Sequence, residues 1–289
     1  MDQKIIDLYD DFTHGGINRR QFLDRLSEIA GSSAAALALL PMLQNDYARA
    51  ATIAADDARL AIDMVSYDAG GTKISGYLAR LKSKGKRPAV IVIHENRGRN
   101  PHIEDIARRL ALAGFLTLAP DLLSVAGGTP ADDDQARDLH TKTDKGLMLK
   151  AAVAAIPFMK NNPESTGKVG AVGFCYGGGV VNSMAVASPD LSAGVAYYGA
   201  QPPADQVPSI QAPLLLQYAG LDTRIDAGIP AYEAALKANG KRFTIYIYPN
   251  VNHAFNNDTG DRYDKAAADL AWSRTLAFFN ENLGAPPKA

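Results

Sequence analysis

Cysteine is almost absent from this sequence: Cys175 is the only one among 289 residues. A single cysteine excludes an intrachain disulfide and a zinc site built from several thiolates. The five histidines also lack short spacings, such as His-x-x-x-His, that place two metal ligands on one face of a helix. We therefore predict neither a metal nor a cofactor.

A large excess of charge of either sign is absent as well. The chain carries 30 basic and 31 acidic side chains, which gives a net charge of −1. Nucleic acids and anionic membrane surfaces attract proteins with a strong basic excess, so this balance argues against both as partners. With 47% hydrophobic residues and no internal repeat, the chain can build one large core. We expect a monomer or a small homo-oligomer that acts on a small molecule.

Residues 1–50 differ from the rest of the chain. Residues 18–23 (NRRQFL) resemble a twin-arginine export motif. An apolar stretch follows at residues 29–43, too short for a membrane span, and residues 47–50 then offer an Ala-x-Ala cleavage site. This order is typical of an export signal, which would place the protein in the periplasm.

A second interpretation treats residues 1–50 as a helical appendage. Acidic side chains crowd the leading segment, where export signals are usually basic, and Phe22, Leu23, Leu26 and Ile29 recur at helical spacing. Such an apolar face can dock on the body of the protein or on another subunit. The protein would then stay in the cytoplasm. The sequence alone supports both interpretations.

Between residues 59 and 284, segments with the spacing of strands alternate with segments with the spacing of helices. Two period-2 segments on either side of Gly70-Gly71 predict an antiparallel hairpin, and the apolar run 88–94 is typical of a central parallel strand. The alternation predicts one α/β domain with a doubly wound, mainly parallel sheet. Further strands are predicted at 115–121, 168–172, 194–198, 213–218 and 243–248, and helices at 101–114, from about 135 to 159, and at 178–185, 230–238 and 263–282.

Cys175 lies between a predicted strand and a predicted helix, at the centre of the segment 173–177 (GFCYG). A strand, the pattern Gly-x-nucleophile-x-Gly and a helix form the nucleophile elbow of α/β-hydrolases, here with sulfur in place of the usual serine oxygen. The glycines leave room where the turn brings strand and helix together. A lone cysteine is more often a small buried hydrophobe, so its assignment as a nucleophile requires an acid and a histidine further along the chain.

An acid and a histidine follow in the required order. Asp222 comes after the predicted strand 213–218, and His253 comes after the predicted strand 243–248. Because sites in such sheets lie at the carboxyl ends of the strands, we predict that Cys175, Asp222 and His253 form a triad. His253 would take the thiol proton, and Asp222 would orient the imidazole and stabilise its charged form.

Residues 94–98 (HENRG) follow the strand end that is expected to supply the second donor of an oxyanion hole. The backbone N–H groups of Asn96 and Tyr176 would bind the negative charge that develops on the substrate oxygen. Glu95 has two interpretations: an ordinary solvated acid, or a carboxylate beside Cys175 that accepts the hydrogen bond of the thiol.

These motifs resemble those of the dienelactone hydrolase (carboxymethylenebutenolidase) family, within the α/β-hydrolase superfamily. The similarity runs over about residues 60–283 and is most specific at 94–98 (HENRG), 120–122 (PDL), 173–179 (GFCYGGG) and 252–255 (NHAF). The resemblance implies an α/β-hydrolase fold with Cys175, Asp222 and His253 as the triad. It also implies that Glu95 holds the resting cysteine as a thiol until substrate displaces it.

One departure from the family concerns the substrate. Members of the chlorocatechol pathway bind the dienelactone carboxylate with two arginines, one shortly after the Pro-Asp-Leu segment and one shortly after the catalytic histidine. Here residues 121–125 and 253–257 contain no arginine. The loss of both cations would weaken binding of an anionic substrate. Arg97 and Arg224 are candidate replacements, although we expect both to be structural or solvated.

The sequence therefore predicts a cysteine-dependent hydrolase of ester or lactone bonds. Two alternatives fit the same residues. A thiol acyltransferase would use the same triad with an acceptor other than water. A non-catalytic binding protein on a hydrolase fold would use residues 1–50 as an interaction arm.

Overall fold

The computed structural model describes residues 2–47 and 52–286. Most of the predicted cleavage site, residues 48–50, lies outside the described residues. The helices are α1 (Gln3–Thr13), α2 (Arg19–Ala30), α3 (Ser33–Leu43), α4 (Pro101–Leu112), α5 (Asp133–Lys142), α6 (Lys145–Lys160), α7 (Tyr176–Ala187), α8 (Thr223–Asp226), α9 (Ile229–Ala238) and α10 (Lys265–Leu283). The strands are β1 (Leu60–Asp68), β2 (Lys73–Leu81), β3 (Arg87–Ile93), β4 (Leu116–Pro120), β5 (Ser165–Phe174), β6 (Ala193–Tyr197), β7 (Leu214–Ala219) and β8 (Phe243–Tyr248).

The strands form one sheet of eight in the order β1-β2-β4-β3-β5-β6-β7-β8. β1 and β2 form the predicted hairpin, with Leu60 opposite Leu81, and β2 pairs antiparallel with β4. All other neighbours are parallel. The prediction of a mainly parallel, doubly wound sheet with an antiparallel hairpin at its start is confirmed.

The burial of the central strand β3 explains why its sequence is apolar after Arg87. All seven of its residues are buried. Ala89 and Ile91 face a core that also contains side chains of α6, α7 and α9, whereas Val90 and Val92 face a second core with side chains of α4 and α10. Because helices cover both faces of the sheet, both sets of alternating side chains are apolar.

The segment predicted as one long helix up to about residue 159 is instead two helices. α5 ends at Lys142, and α6 begins at Lys145 after Asp144. The side chain of Asp144 accepts the N–H group of Gly146 at 2.7 Å and that of Leu147 at 3.0 Å, so it caps a new helix. This break brings residues at the end of α5 and the start of α6 to the rim of the cavity described below.

The first three helices, α1 to α3, pack together around a small apolar cluster of their own. Phe22 and Leu26, two of the residues with helical spacing, are buried in this cluster, whereas Ile29 is 41% exposed. Within the described residues, no single helix is long and apolar enough to cross a membrane. α2 and α3 meet that criterion only when taken together, and they are bent by 110° at the break between them.

Candidate active site

The backbone at Cys175 has the strained conformation that a nucleophile elbow requires. Cys175 follows β5 directly and precedes α7, with φ 56° and ψ −117°, a positive φ that non-glycine residues rarely adopt. A Cβ atom on Gly173 would lie 2.0 Å from the carbonyl oxygen of Gly177, and one on Gly177 would lie 2.4 Å from that of Ile93. Both positions therefore require glycine, because the strand and the helix approach each other at their backbones.

The structure brings Asp222 and His253 into direct contact. Nδ1 of His253 lies 2.5 Å from Oδ2 of Asp222, and both side chains are almost fully buried. Asp222 also caps α8, since its Oδ1 accepts the N–H group of Ile225 at 3.3 Å. A carboxylate can only accept, so Nδ1 of His253 carries the hydrogen, and in the neutral ring Nε2 has the free lone pair. That Nε2 atom is buried and has no hydrogen-bond partner among the described residues.

Cys175 lies beside two imidazole rings. Nε2 of His14 is 3.2 Å from its Sγ atom, and the side-chain donor atoms of His14, Cys175 and His253 all lie within 4.8 Å of one another. The two rings meet edge to face, with centroids 5.1 Å apart. A thiol and two imidazoles at these distances can share a proton, and the same donor types bind zinc in other proteins.

His14 is a site residue that reasoning from the sequence missed. It follows α1 directly and is 161 positions away from Cys175 in the chain. No motif surrounds it, and only the interpretation of residues 1–50 as a docking appendage pointed toward the contact. The position of His14 depends on tertiary packing, which spacing within the sequence does not encode.

The two imidazoles and the aspartate shift the pKa values of the site in opposite directions. Burial raises the pKa of the Cys175 thiol, but the positive charges that His14 and His253 carry when protonated, together with the hydrogen bond to His14, outweigh burial and lower that pKa to about 6. Burial lowers the pKa of His253, but the Cys175 thiolate and the hydrogen bond to Asp222 raise it to about 10. Between these values the stable form is a thiolate beside an imidazolium.

Glu95 and Asn96 lie at the carboxyl end of β3, next to Cys175. Oε2 of Glu95 accepts a hydrogen bond from Nδ2 of Asn257 at 3.0 Å, and both side chains are buried. The thiol's hydrogen bond in this structure is with His14, so the role of Glu95 as a thiol acceptor stays a prediction. Asn96 Nδ2 donates to the carbonyl of Thr13 at 2.7 Å.

Tyr176 is the first residue of α7, so its N–H group has no acceptor inside the helix and is free for a ligand. A helix N-terminus also favours negative charge in front of it. The oxyanion hole of Asn96 and Tyr176 stays a prediction, and this placement of Tyr176 is what the prediction requires.

A cavity of about 380 Å³ opens above Cys175, a size typical of small-molecule sites. Its walls come from the end of α1, the α5–α6 junction, the elbow, and the loops after β3, β6, β7 and β8. The lining residues are Thr13, His14, Gly15, Asn96, His140, Thr141, Lys145, Cys175, Tyr176, Tyr198, Ala200, Arg224, Ile225 and His253. This set includes two fixed cations, Lys145 and Arg224, and no aspartate or glutamate.

The two arginines considered as replacements for the missing cations have different positions. Arg97 is buried and donates to the hydroxyl of Tyr9 at 3.2 Å, away from the cavity above Cys175. Arg224 lines that cavity, and its Nη2 atom lies 3.3 Å from Nε2 of His14. Arg97 is thus structural, as expected, whereas Arg224 is available to a ligand.

An elbow between a parallel strand and a helix, with an aspartate and a histidine from later strand ends, defines the α/β-hydrolase class. The sequence model of the dienelactone hydrolase family matches residues 74–283, and a second family model, described as YqhI-like, matches residues 1–31. The chain belongs to the dienelactone hydrolase family.

Relatives with curated names agree with this assignment. Two proteins named "Putative carboxymethylenebutenolidase" are similar to this chain. The one from Saccharolobus solfataricus is 32% identical over 252 residues, which is 74% of this chain and 96% of the relative. The one from Methylorubrum extorquens is 31% identical over 276 residues, which is 90% of this chain and 93% of the relative.

Solved structures show the same fold. The dienelactone hydrolase from Anabaena variabilis superposes with a TM-score of 0.62 at 26% identity and covers 78% of this chain and 99% of its own. The dienelactone hydrolase-like promiscuous phosphotriesterase P91, from metagenomic libraries, superposes with a TM-score of 0.70 at 27% identity, with 78% and 100% covered. The protein is therefore a hydrolase that acts on ester or lactone bonds of small molecules.

Proposed function

We propose that the protein hydrolyses its substrate through a covalent acyl intermediate on Cys175, with His253 and Asp222 as the other members of the triad. The observation that carries this proposal is the 2.5 Å contact between His253 Nδ1 and Asp222 beside Cys175: it leaves His253 Nε2 buried and without a partner among the described residues, on a ring with a nitrogen atom within 4.8 Å of the cysteine sulfur. A histidine held in this way can act as a general base toward the thiol of Cys175.

The reaction begins with the Cys175 thiolate, whose formation the lowered pKa of about 6 favours at neutral pH. The sulfur attacks the acyl carbon, and the N–H groups at Asn96 and Tyr176 are the donors that we assign to the oxyanion. The imidazolium of His253 protonates the departing alkoxide. The neutral imidazole then removes a proton from water, which attacks the thioester and releases the acid.

The charges of the cavity favour a substrate that carries an anionic group. Lys145 and Arg224 both line it, whereas no Asp or Glu among the described residues does. Lys145 sits over the ring of Tyr176, 5.4 Å from the ring centroid, beside the elbow. We therefore infer that Lys145 and Arg224 bind the anionic group of the substrate. Other family members use two arginines for this, and residues 121–125 and 253–257 contain neither.

An activity panel with matched variants tests this function. Cys175→Ala removes the sulfur and should abolish turnover of a small activated ester, and Ser183→Ala, a change elsewhere in α7, serves as the matched control. A Cys175→Ala enzyme with the activity of the wild type would contradict the proposal.

The same panel tests the substrate class. Dienelactone and an ester with a free carboxylate should be hydrolysed faster than a neutral ester of the same size, and equal rates would argue against recognition of an anion. Product analysis with an added alcohol acceptor distinguishes hydrolysis from acyl transfer, because transfer yields a new ester in place of the free acid.

A further inference from the structure

The N-terminal segment, residues 3–43, reaches the nucleophile of the site. α1 ends at Thr13, and His14 follows with its backbone N–H bonded to the carbonyl of Asp10. The Nε2 atom of His14 then lies 3.2 Å from Sγ of Cys175. The match to a YqhI-like family model covers residues 1–31, so this segment is a recognisable unit of its own.

The hydrogen bonds of His14 determine which of its nitrogen atoms carries a proton. Nδ1 of His14 lies 2.7 Å from the carbonyl oxygen of Asp10. A carbonyl oxygen can only accept, so Nδ1 carries the hydrogen and the lone pair of Nε2 faces the thiol. His253 is arranged in the same way: its Nδ1 contacts Asp222, and its Nε2 has no partner in residues 2–47 and 52–286. Two imidazoles thus present proton-accepting atoms to one sulfur.

Several contacts hold the segment on the body of the protein around the site. Each involves a residue of α1 and a residue of the loops that carry Glu95 or His253. They are the hydrogen bond from Asn96 to the Thr13 carbonyl at 2.7 Å, that from Gln3 to Asn252 at 2.7 Å, that from Arg97 to Tyr9 at 3.2 Å, and the ion pair of Asp10 with Arg262. The position of His14 therefore results from a specific interface.

We propose that His14 is a further catalytic residue, a second imidazole that accepts the proton of Cys175, and that the N-terminal segment completes the active site. The S–H bond of Cys175 breaks and an N–H bond forms at Nε2 of His14, which gives a thiolate and an imidazolium without change in net charge. His14 and His253 are thus alternative acceptors of one proton, which His253 holds when the alkoxide departs. This inference rests on the proposed function, because it assumes that Cys175 is the nucleophile.

The charged groups around the pair are consistent with this role. Among the influences that lower the pKa of Cys175 against the effect of burial, the charge of His14 is the largest, followed by that of His253. Nη2 of Arg224 also lies 3.3 Å from Nε2 of His14 and can only donate, so it competes with the thiol for this lone pair; because the Arg224 side chain is exposed, it has room to turn away when Nε2 is protonated. Lys145 and His140 line the same cavity as His14. Glu95 and Arg262 line a second, smaller cavity beside Cys175, where the two charges attract each other.

The test is the pH dependence of alkylation of Cys175 by iodoacetamide in the full-length protein. Alkylation reports the thiolate directly, and Cys175 is the only thiol. His14→Ala and His14→Gln both remove the proton acceptor, and Gln retains much of the size. We expect both variants to raise the alkylation midpoint by about one pH unit, the size of a lost charge-assisted interaction. Arg20→Gln, an exposed change in the same segment, should leave the midpoint in place.

Chemical rescue separates a proton acceptor from a merely structural side chain. Added imidazole should restore part of the lost reactivity of His14→Ala near pH 6 and should not change the wild type. Thermal unfolding of both variants checks that the segment stays folded. Alkylation midpoints at or below the wild-type value in both His14 variants would overturn the proposal.

The result can be separated from the fate of the proposed function, because alkylation needs no ester substrate. A raised midpoint in a protein that hydrolyses no ester would support His14 and refute the function. Ester hydrolysis that depends on Cys175, with unchanged alkylation midpoints in the His14 variants, would support the proposed function and refute the role of His14. One consequence concerns processing: cleavage within residues 47–50 would remove His14 from the enzyme.

Discussion

The change Asp222→Asn tests the charge of the triad acid apart from its shape. Asp222 is 6% exposed, holds His253 at 2.5 Å through Oδ2 and caps α8 through Oδ1. Asparagine has the same shape and caps helices about as well as aspartate, so α8 should stay in place. The variant removes the negative charge beside the imidazole and keeps the size of the side chain.

The size of the effect follows from the lost contact. A hydrogen bond to a charged group contributes about 1.5–3 kcal/mol. At about 1.4 kcal/mol for each factor of ten, its loss lowers kcat/KM by about 10- to 150-fold. The amide of asparagine can also donate to Nδ1 and reverse the tautomer of His253, which in serine triads brings the loss to about 10⁴-fold. We therefore expect a decrease of at least about tenfold near neutral pH.

The pH profile of kcat/KM shows in which direction Asp222→Asn shifts the pKa of His253. In the wild type, His253 keeps its proton up to its raised pKa of about 10, to which the hydrogen bond that its Nδ1 donates to Asp222 contributes. Without the carboxylate the imidazolium is less stable, so the pKa of His253 falls. The alkaline limb of the profile should then move to lower pH.

The assay is hydrolysis of p-nitrophenyl acetate, with the spontaneous rate subtracted at each pH. Asp226→Asn is the matched control, because it removes a carboxylate from the same short helix without a contact to His253. The reasoning is refuted if Asp222→Asn keeps the alkaline limb of the wild type and a kcat/KM within about twofold of it.

Two further predictions concern the elbow and the cavity. Gly177→Ala should lower the free energy of unfolding by about 3 kcal/mol or more, since its Cβ would lie 2.4 Å from the carbonyl oxygen of Ile93, whereas Gly179→Ala, with its closest contact at 3.4 Å, should cost less than about 1 kcal/mol in the same urea titration. Arg224→Gln should raise KM several-fold for an ester with a free carboxylate and leave that of a matched neutral ester unchanged, and an equal rise for both substrates would contradict recognition of the anion.

The strands could be predicted because the apolar pattern of each segment indicates which of its faces are buried. β3 is covered on both faces and is apolar at almost every position, and the hairpin of β1 and β2 surrounds two glycines with positive φ, Gly70 and Gly71. The break between α5 and α6 was missed, because the helical spacing continues across it. Only the capping contacts of Asp144 make it visible.

The arrangement of the site could be predicted in part. Cys175, Asp222 and His253 follow the ends of β5, β7 and β8, which belong to the parallel part of one sheet with β6 between β5 and β7, so chain order and fold together place them at one edge. His14 and Lys145 could not be predicted in the same way. His14 depends on the docking of a separate helical segment, and Lys145 lines the cavity because α6 starts anew at that residue.

The central claim is that the acyl group of the substrate is transferred to the sulfur of Cys175. The most direct measurement is mass spectrometry of the full-length enzyme, quenched in acid during turnover of a slowly hydrolysed ester and then mapped by peptide digestion. The account predicts a mass increase of one acyl group on the peptide that contains Cys175, lost when the protein is treated with hydroxylamine and absent in Cys175→Ala. Turnover in which the acyl group is found on another residue, or in which Cys175→Ala still forms the adduct, would contradict it.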